Sequence, residues 1–250
     1  MRISVRSWQM ERAVELGDFN REIVAAWGVA KRLGFERSVG ALTSMNVDEG
    51  HRRVALDPTS TYEIIYKSAV SRAAYNFMLK DYAIFQFTWT GESDWRLAFL
   101  PNPWLTGVPS SFAELEALER HVESGELQHD DADHLLEALP YHGAVPPIRF
   151  EFSRRQYREI IHPAAHFHIG RDGENRWASG VLLGPRVFML LVMRLYYPDR
   201  WRLCSRVYGA EVEGCLDEEM QRLVDDARMS PDFTQLERRA IHLGRAIGAG

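Results

Sequence analysis

The sequence predicts an α+β fold, with a single antiparallel sheet of four to five strands and helices packed around it. Apolar and polar residues alternate with a period of two over residues 81–89 and 94–100, and this period returns at 148–153 and 165–169. The short, turn-like segment 90–93 joins the first two of these strands into a hairpin. Around the strands, apolar residues recur at helical spacing.

The segments before the hairpin predict helices separated by a loop. Residues 8–33 are compatible with a helix, with Gly17 and Gly34 as breaks or caps, and residues 38–53 are predicted to be irregular. Residues 60–77 predict an amphipathic helix, because apolar side chains recur every three or four positions and the first residues have capping-box spacing.

The segments after the hairpin predict an acidic insert and a helical C-terminal part. Residues 111–140 are acidic and helical, which indicates a solvated face or a lid. Pro185 is suited to the first turn of a largely apolar helix at 185–197, which we expect to lie in the core. Further helices are predicted at residues 199–208, 216–227 and 233–243.

Length and composition indicate a globular chain, since 46% of its 250 residues are apolar and 26% are charged. We expect a single α+β domain over residues 1–250. Its parts are an N-terminal helical and irregular region at 1–57, a core at 60–198 that contains the insert at 111–140, and C-terminal helices at 199–250.

The sequence also predicts a soluble cytoplasmic protein without membrane contact. The longest apolar run, residues 187–193, falls short of the ~20 residues that span a bilayer, and no secretory signal is predicted. Cys204 and Cys215 lack metal-ligand spacing and suit a reducing cytosol. The net charge of −5 gives no overall positive field, so any nucleic acid must be held locally. Motifs of common NTPases, elbow hydrolases and Rossmann enzymes are missing from the sequence.

Three of the nine histidines lie close together, in the segment His162-Pro163-Ala164-Ala165-His166-Phe167-His168. On a strand, His166 and His168 point to the same face, and in the strand at 148–153 Arg149 and Glu151 likewise share a face. If the apolar faces of both strands are buried against one helical layer, these four polar residues lie side by side on the other surface. By the same alternation the hairpin adds three further polar residues to this surface, Gln86, Thr88 and Arg96.

The opposite surface should be apolar. We expect Phe150, Phe152, Phe167 and Ile169 to be buried on one face of the sheet, with Phe85 and Phe87, or their hairpin partners, nearby.

The polar set allows three interpretations. It has the groups that metal-independent RNA cleavage requires, namely a proton acceptor, a proton donor and a cation for the phosphorane. Alternatively, two imidazoles at positions i and i+2 bind Zn, Mn or Fe, with Glu151 or His162 as a third ligand. In the third interpretation, the histidines are half-buried and hydrogen-bond one another and the backbone. The predicted binding residues around this set are Arg96, Gln86, His162 and Arg171.

The sequence resembles an uncharacterised bacterial domain-of-unknown-function family, over residues 62–198. Members of that family share a strand reading Arg-aromatic-acid-aromatic, here Arg149-Phe150-Glu151-Phe152, followed by His-Pro-x-x-His-x-His, here residues 162–168. It is more remotely similar to small toxins of the TumE type, in which an Arg-Tyr-Asp strand precedes a histidine cluster. The chain is much longer than those toxins and has Glu151 where they usually have Asp. The resemblance implies a setting in toxin–antitoxin or phage-defence loci.

We therefore predict a toxin-like or phage-defence-associated ribonuclease that needs no metal. His166 or His168 is the general base, the other histidine or Glu151 is the acid, and Arg149 with Arg96 holds the phosphate. The alternatives are a non-catalytic nucleotide- or protein-binding subunit of a bacterial defence complex, and a metal-dependent hydrolase. The expected partners are RNA or a nucleotide, and a cognate antitoxin or defence-complex protein. The sequence identifies no cofactor.

Overall fold

The protein is described by a computed structural model over residues 15–107, 117, 120–122, 124–128, 142–143, 145–171, 173–205 and 215–241. One antiparallel sheet of seven strands runs through this part of the chain, with helices on both faces. The strands are β1 (Glu36–Val39), β2 (Phe77–Leu79), β3 (Ile84–Gly91), β4 (Asp94–Leu100), β5 (Ile148–Ser153), β6 (Ala165–Ile169) and β7 (Trp177–Ala178). Each strand pairs with the next one along the chain.

The α+β class agrees with the sequence, but the predicted sheet of four to five strands is wrong, because the sheet has seven. The additional strands β1, β2 and β7 have only four, three and two residues, too few to show a period of two. Pairing with neighbouring strands holds them in the sheet: Phe77 of β2 lies opposite Phe85 of β3, and Trp177 of β7 lies opposite Phe167 of β6.

Two element boundaries also differ from the predicted ones, because the local backbone conformation ends or delays the element. The helix predicted at 60–77 is α3 (Tyr62–Ser71), and the chain leaves it through Ala73, whose φ of 49° is left-handed. The strand predicted from residue 81 begins at Ile84, because Tyr82 (φ 62°) closes a turn in which its N–H donates to the Leu79 carbonyl at 2.9 Å.

Helices α1 (Leu16–Arg32) and α4 (Pro185–Tyr196) cover the apolar face of the sheet. The core contains side chains from the five strands β2 to β6, among them the fully buried Phe85, Phe87, Leu97, Phe99 and Phe150. Phe152 is buried as predicted, and Phe167 is half-buried against the core. Ile169 is 41% exposed, so its predicted burial is wrong; it is the last residue of β6, where the strand gives way to Gly170.

Among the described residues, the opposite face is covered only in part, by α2 (Glu49–Leu56) and α3. From α3, Ile65, Tyr66 and Ala69 pack against Ile84 and other apolar residues at one end of this face. The prediction of an irregular segment up to residue 53 is wrong for α2, whose first turn is capped by Asp48: its carboxylate accepts the His51 N–H at 2.6 Å. The uncovered part of the face remains accessible beside α2.

The C-terminal helices agree with the sequence where they are described. They are α5 (Pro198–Ser205), α6 (Leu216–Asp225) and α7 (Gln235–Ile241). The predicted helical residues 8–14, most of the acidic insert 111–140, and residues 206–208 and 242–243 lie outside the described residues. In the described part of the chain, no helix combines the length and the apolar character needed to cross a membrane.

A buried polar contact joins the β2–β3 turn to the end of α4. The Asp81 carboxylate is buried and accepts the Tyr197 hydroxyl at 2.8 Å and the Thr106 hydroxyl at 2.7 Å. Burial raises the pKa of Asp81, and the two hydroxyl donors lower it in part. These hydrogen bonds offset the cost of removing the carboxyl group from water.

The central position of α4 predicts a clear asymmetry between two of its leucines. Leu190 is fully buried, whereas Leu195 is 55% exposed on the same helix. We expect Leu190→Asp to destroy soluble expression, because an unpaired buried carboxylate costs several kcal/mol. Leu195→Asp should express and unfold like the wild type in a thermal melt. Equal soluble yields of the two variants would contradict the burial of this helix.

The Asp81 contact predicts a difference between neighbouring tyrosines. Tyr197→Phe removes a donor from a buried carboxyl group, and we expect it to lower the free energy of unfolding by about 1–3 kcal/mol. Tyr196 stacks on Phe99, with ring centroids 5.7 Å apart, and is only half-buried. Tyr196→Phe should therefore change stability by less than about 0.5 kcal/mol. Urea denaturation of both variants measures the difference, which should vanish if Asp81 needs no donor from Tyr197.

Candidate functional site

The candidate site lies on the half-covered face of the sheet, where two rows of side chains cross β4, β5 and β6. In the first row Arg96 is opposite Glu151, which is opposite His166. In the second row Arg149 is opposite His168. The register therefore brings Arg149, Glu151, His166 and His168 onto one face, as the alternation predicts, while Phe150 pairs with Phe167 on the other.

A cleft with a volume of about 370 Å³ separates this face from α2 and the residues before it, and we call it the sheet cleft. Six of the eight predicted site residues line it: Gln86, Arg96, Arg149, Glu151, His162 and His168. His166 lies beneath them and is fully buried. Arg171 does not line the sheet cleft; it donates to the Pro58 carbonyl at 2.7 Å, in the connection between α2 and α3.

The two central histidines form a hydrogen-bonded pair. The Nδ1 of His166 is 2.7 Å from the Pro163 carbonyl, which can only accept, so Nδ1 bears a proton. In the neutral ring, Nε2 of His166 is then an acceptor. It lies 3.0 Å from Nε2 of His168, which must donate. The Pro163 carbonyl thereby sets the tautomers of both rings.

Burial lowers the pKa of both imidazoles to about 4, although the nearby Glu151 carboxylate raises each in part. For His168 the Arg149 guanidinium lowers the pKa further. Both rings are therefore neutral at pH 7. They offer nitrogen lone pairs to a proton or a metal ion, but neither is an imidazolium that could serve as a general acid at this pH.

Glu151 is the anionic member of the site. Burial raises the pKa of its carboxyl group, but Arg149, Arg96 and the two imidazoles outweigh that effect, and the pKa lies below its ordinary value. Oε1 is 3.1 Å from Nε of Arg149, an ion pair without the angle of a hydrogen bond. Oε2 is 4.0 Å from Nε2 of His168. We call Glu151, His166 and His168 the histidine–glutamate cluster.

Arg96 has no hydrogen bond or ion pair with any residue that the structure describes. It is half-buried in the sheet cleft, where burial and the neighbouring Arg149 lower its pKa and the Glu151 carboxylate raises it in part. Arginine nevertheless stays protonated in proteins. Four arginines line the sheet cleft (Arg52, Arg96, Arg149 and Arg176), against two acids (Asp48 and Glu151). The described lining therefore carries excess positive charge and is suited to an anion.

The sequence analysis did not predict α2, which forms one wall of the sheet cleft. His51 on this helix is buried, and its Nε2 lies 3.3 Å from the Gln86 amide nitrogen, which also donates to the Ala74 carbonyl at 2.6 Å. The amide of Gln86, a predicted binding residue, thus holds α2 against β3. The sequence signal for this helix was Asp48, three residues before His51, because Asp is a favoured N-cap residue.

The histidine–glutamate cluster has the composition of a metal site. In the described part of the chain, one ligand atom from each of its residues lies within 4.8 Å of the other two. His162 is not part of the group, although its ring centroid is 5.0 Å from that of His166. Of the two third ligands that the sequence allowed, the structure therefore brings Glu151 into range.

Comparison with known proteins identifies the family. A family model described as "Uncharacterized conserved protein (DUF2290)" matches residues 37–245, from the second residue of β1 through α7. No curated protein and no solved structure matches the chain. The matched region contains the whole histidine–glutamate cluster and both arginines beside it. Since it also covers most of the sequence, the chain belongs to the DUF2290 family of uncharacterised conserved proteins.

Proposed function

We propose that the protein is a ribonuclease that binds an RNA phosphodiester in the sheet cleft. The observation that carries this proposal is Arg96, a half-buried guanidinium that makes no hydrogen bond or direct ion pair with any described residue. The Glu151 carboxylate opposite it in the sheet register, which also pairs with Arg149, offsets its charge only in part. An unpaired cation in such a position is costly, and binding an anion relieves the cost. The planar guanidinium fits two phosphate oxygens at once.

The size of the sheet cleft suits part of a nucleic acid. Small-ligand sites typically enclose about 300–1,000 Å³, and the sheet cleft, at about 370 Å³, accommodates a nucleotide unit. The net charge of the chain is negative, so RNA would be attracted by this local group of arginines and not by the whole surface.

The chemistry of the site is consistent with cleavage next to a 2′-hydroxyl. The 2′-oxygen attacks phosphorus and loses its proton, and the bond from phosphorus to the 5′-oxygen breaks, so that the 5′-oxygen takes up a proton. The products are a 2′,3′-cyclic phosphate and a 5′-hydroxyl. Arg96 and Arg149 stabilise the negative charge of the phosphorane. We assign both proton transfers to the histidine–glutamate cluster, which lies beside both arginines. A neutral imidazole accepts the 2′-hydroxyl proton, and the imidazolium formed in this way donates a proton to the 5′-oxygen.

The burial of the histidine pair favours a second candidate, a binding protein without catalysis. His166 is fully buried, His168 is 3% exposed, and the two rings hydrogen-bond each other. If the pair only shapes the floor of the sheet cleft, RNA or a nucleotide binds there and is not cleaved. Tight binding of RNA that remains intact would favour this candidate.

The cellular setting that we propose, toxin–antitoxin or phage defence, rests on the resemblance to TumE-type toxins. A cognate antitoxin or defence-complex protein would then be the protein partner.

The proposal predicts that RNA cleavage depends on Arg96. We expect Arg96→Gln to lower the cleavage rate about 10²-fold or more, as for loss of a donor that stabilises transition-state charge, and to weaken RNA binding. Arg194→Gln is the matched control, because Arg194 lies on α4, is exposed and does not line the sheet cleft. Gel analysis of a labelled oligoribonucleotide and fluorescence anisotropy measure the two effects. Wild-type cleavage by Arg96→Gln would refute the proposal.

The proposed setting predicts toxicity that depends on the cluster. Induced expression of the wild type should slow bacterial growth and reduce intact cellular RNA. The double variant His166→Ala, His168→Ala should relieve both effects at equal soluble protein levels, and His121→Ala, which changes an exposed histidine, should not. If the wild type and the double variant slow growth equally, the toxic activity is not that of this site.

A further inference from the structure

We infer that Glu151, His166 and His168 bind one divalent transition-metal ion of the zinc class at the floor of the sheet cleft. The inference deepens the proposed function: with the ion bound, the three side chains would be its ligands, and the proton transfers assigned to them above would pass to water at the open position. It rests on the proposed function for the role of the ion, but metal binding itself is measurable without RNA. The three side chains lie on adjacent paired strands, Glu151 directly opposite His166 and His168 two residues further along β6. A paired sheet is a rigid support for such a site.

The nitrogen atoms of the two histidines already converge. Their Nε2 atoms are 3.0 Å apart. Two imidazoles bound to one zinc ion at ~2.0–2.1 Å in tetrahedral geometry have their nitrogens roughly 3.3 Å apart. A movement of a few tenths of an ångström would therefore let one ion bind both Nε2 atoms. The His168 proton would then move from Nε2 to Nδ1, a buried atom without a hydrogen-bond partner in the described part of the chain. Both rings are nine-tenths or more buried, so the ion would be held within the fold.

The hydrogen bond from His166 to Pro163 fits a metal ligand. Histidines that bind a metal through one nitrogen usually donate the other N–H to a carboxylate or a backbone carbonyl, which fixes the ring and its tautomer. Here Nδ1 donates to the Pro163 carbonyl at 2.7 Å and leaves the Nε2 lone pair facing the cluster. This bond is local, since Pro163 lies three residues before His166.

Glu151 supplies the oxygen ligand. One carboxylate oxygen, Oε1, is held by Arg149 at 3.1 Å, so the arginine orients the group. The other oxygen, Oε2, lies on the side of His168, 4.0 Å from its Nε2. Two imidazoles and one carboxylate are a set that catalytic zinc uses, with the fourth position open to water or substrate. Since Glu151 and His168 line the sheet cleft, the open position would face it.

The neighbouring arginines link the ion to phosphate. A divalent ion on two neutral imidazoles and one carboxylate leaves a charge of +1, to which Arg96 and Arg149 add two more. This positive charge in a half-buried cleft disfavours binding of the ion alone and favours binding of the ion together with an anion. Phosphate should therefore raise the affinity for the metal, and the metal should raise the affinity for phosphate by the same factor.

The test uses Zn²⁺ and the purified full-length protein after treatment with a chelator. Isothermal titration calorimetry and elemental analysis should show one equivalent of zinc on the wild type, with higher affinity when inorganic phosphate is present. His168→Asn and Glu151→Gln, which preserve size and polarity, should each weaken zinc binding by about 10²-fold or more. His121→Ala controls for exposed histidines, and far-ultraviolet circular dichroism checks that every variant is folded.

The outcomes separate the metal site from the proposed function. Zinc binding that is lost in the cluster variants supports the site even if no RNA is cleaved, and in that case only the proposed function fails. RNA cleavage that persists in excess chelator, with no zinc bound by the wild type, overturns the metal site and retains the ribonuclease. Equal zinc binding by the wild type and Glu151→Gln also overturns the site as assigned.

Discussion

The pairing of β5 with β6 is the constraint on which the candidate site depends. In this register Glu151 faces His166 and Arg149 faces His168, while Phe150 faces Phe167 on the other side of the sheet. A slip of one residue would turn the polar side chains of one strand toward α1 and α4 and expose its aromatic residues. The fully buried Phe150, which touches the Phe167 ring at a centroid distance of 5.3 Å, therefore holds the chemical groups in place.

The arrangement of helices around the sheet explains why this face is accessible. α1 and α4 cover the apolar face along the central strands, whereas α2 and α3 cover only one end of the opposite face. The sheet cleft remains beside α2, and its described lining carries more positive than negative charge. A fold that buries two neutral histidines beneath a carboxylate and leaves Arg96 without a partner in the described structure keeps groups that packing alone does not require. Such groups are more typical of sites that bind and react than of structural cores.

The sequence predicted the parts of this site that depend on local periodicity. Alternation along the four longer strands was sufficient to bring His166, His168, Arg149 and Glu151 to one face, because side-chain direction on a strand follows the backbone. It could not reveal β1, β2 or β7, whose few residues are held by their partners. It also missed α2, although Asp48 is a good N-cap, because the sequence before it suggested a loop. Arg171 shows another limit, since its contact with a backbone carbonyl more than a hundred residues away leaves no sequence pattern.

The central claim is that the sheet cleft holds an RNA phosphodiester against Arg96. A crystal structure with a bound substrate analogue tests this claim most directly. A dinucleotide that lacks the 2′-hydroxyl cannot be cleaved by attack of that oxygen and would remain intact in the crystal. The account predicts its phosphate within hydrogen-bond distance of the Arg96 guanidinium, with the 2′-carbon facing the histidine–glutamate cluster. A dinucleotide bound at saturating concentration on another surface, with the sheet cleft empty, would contradict it.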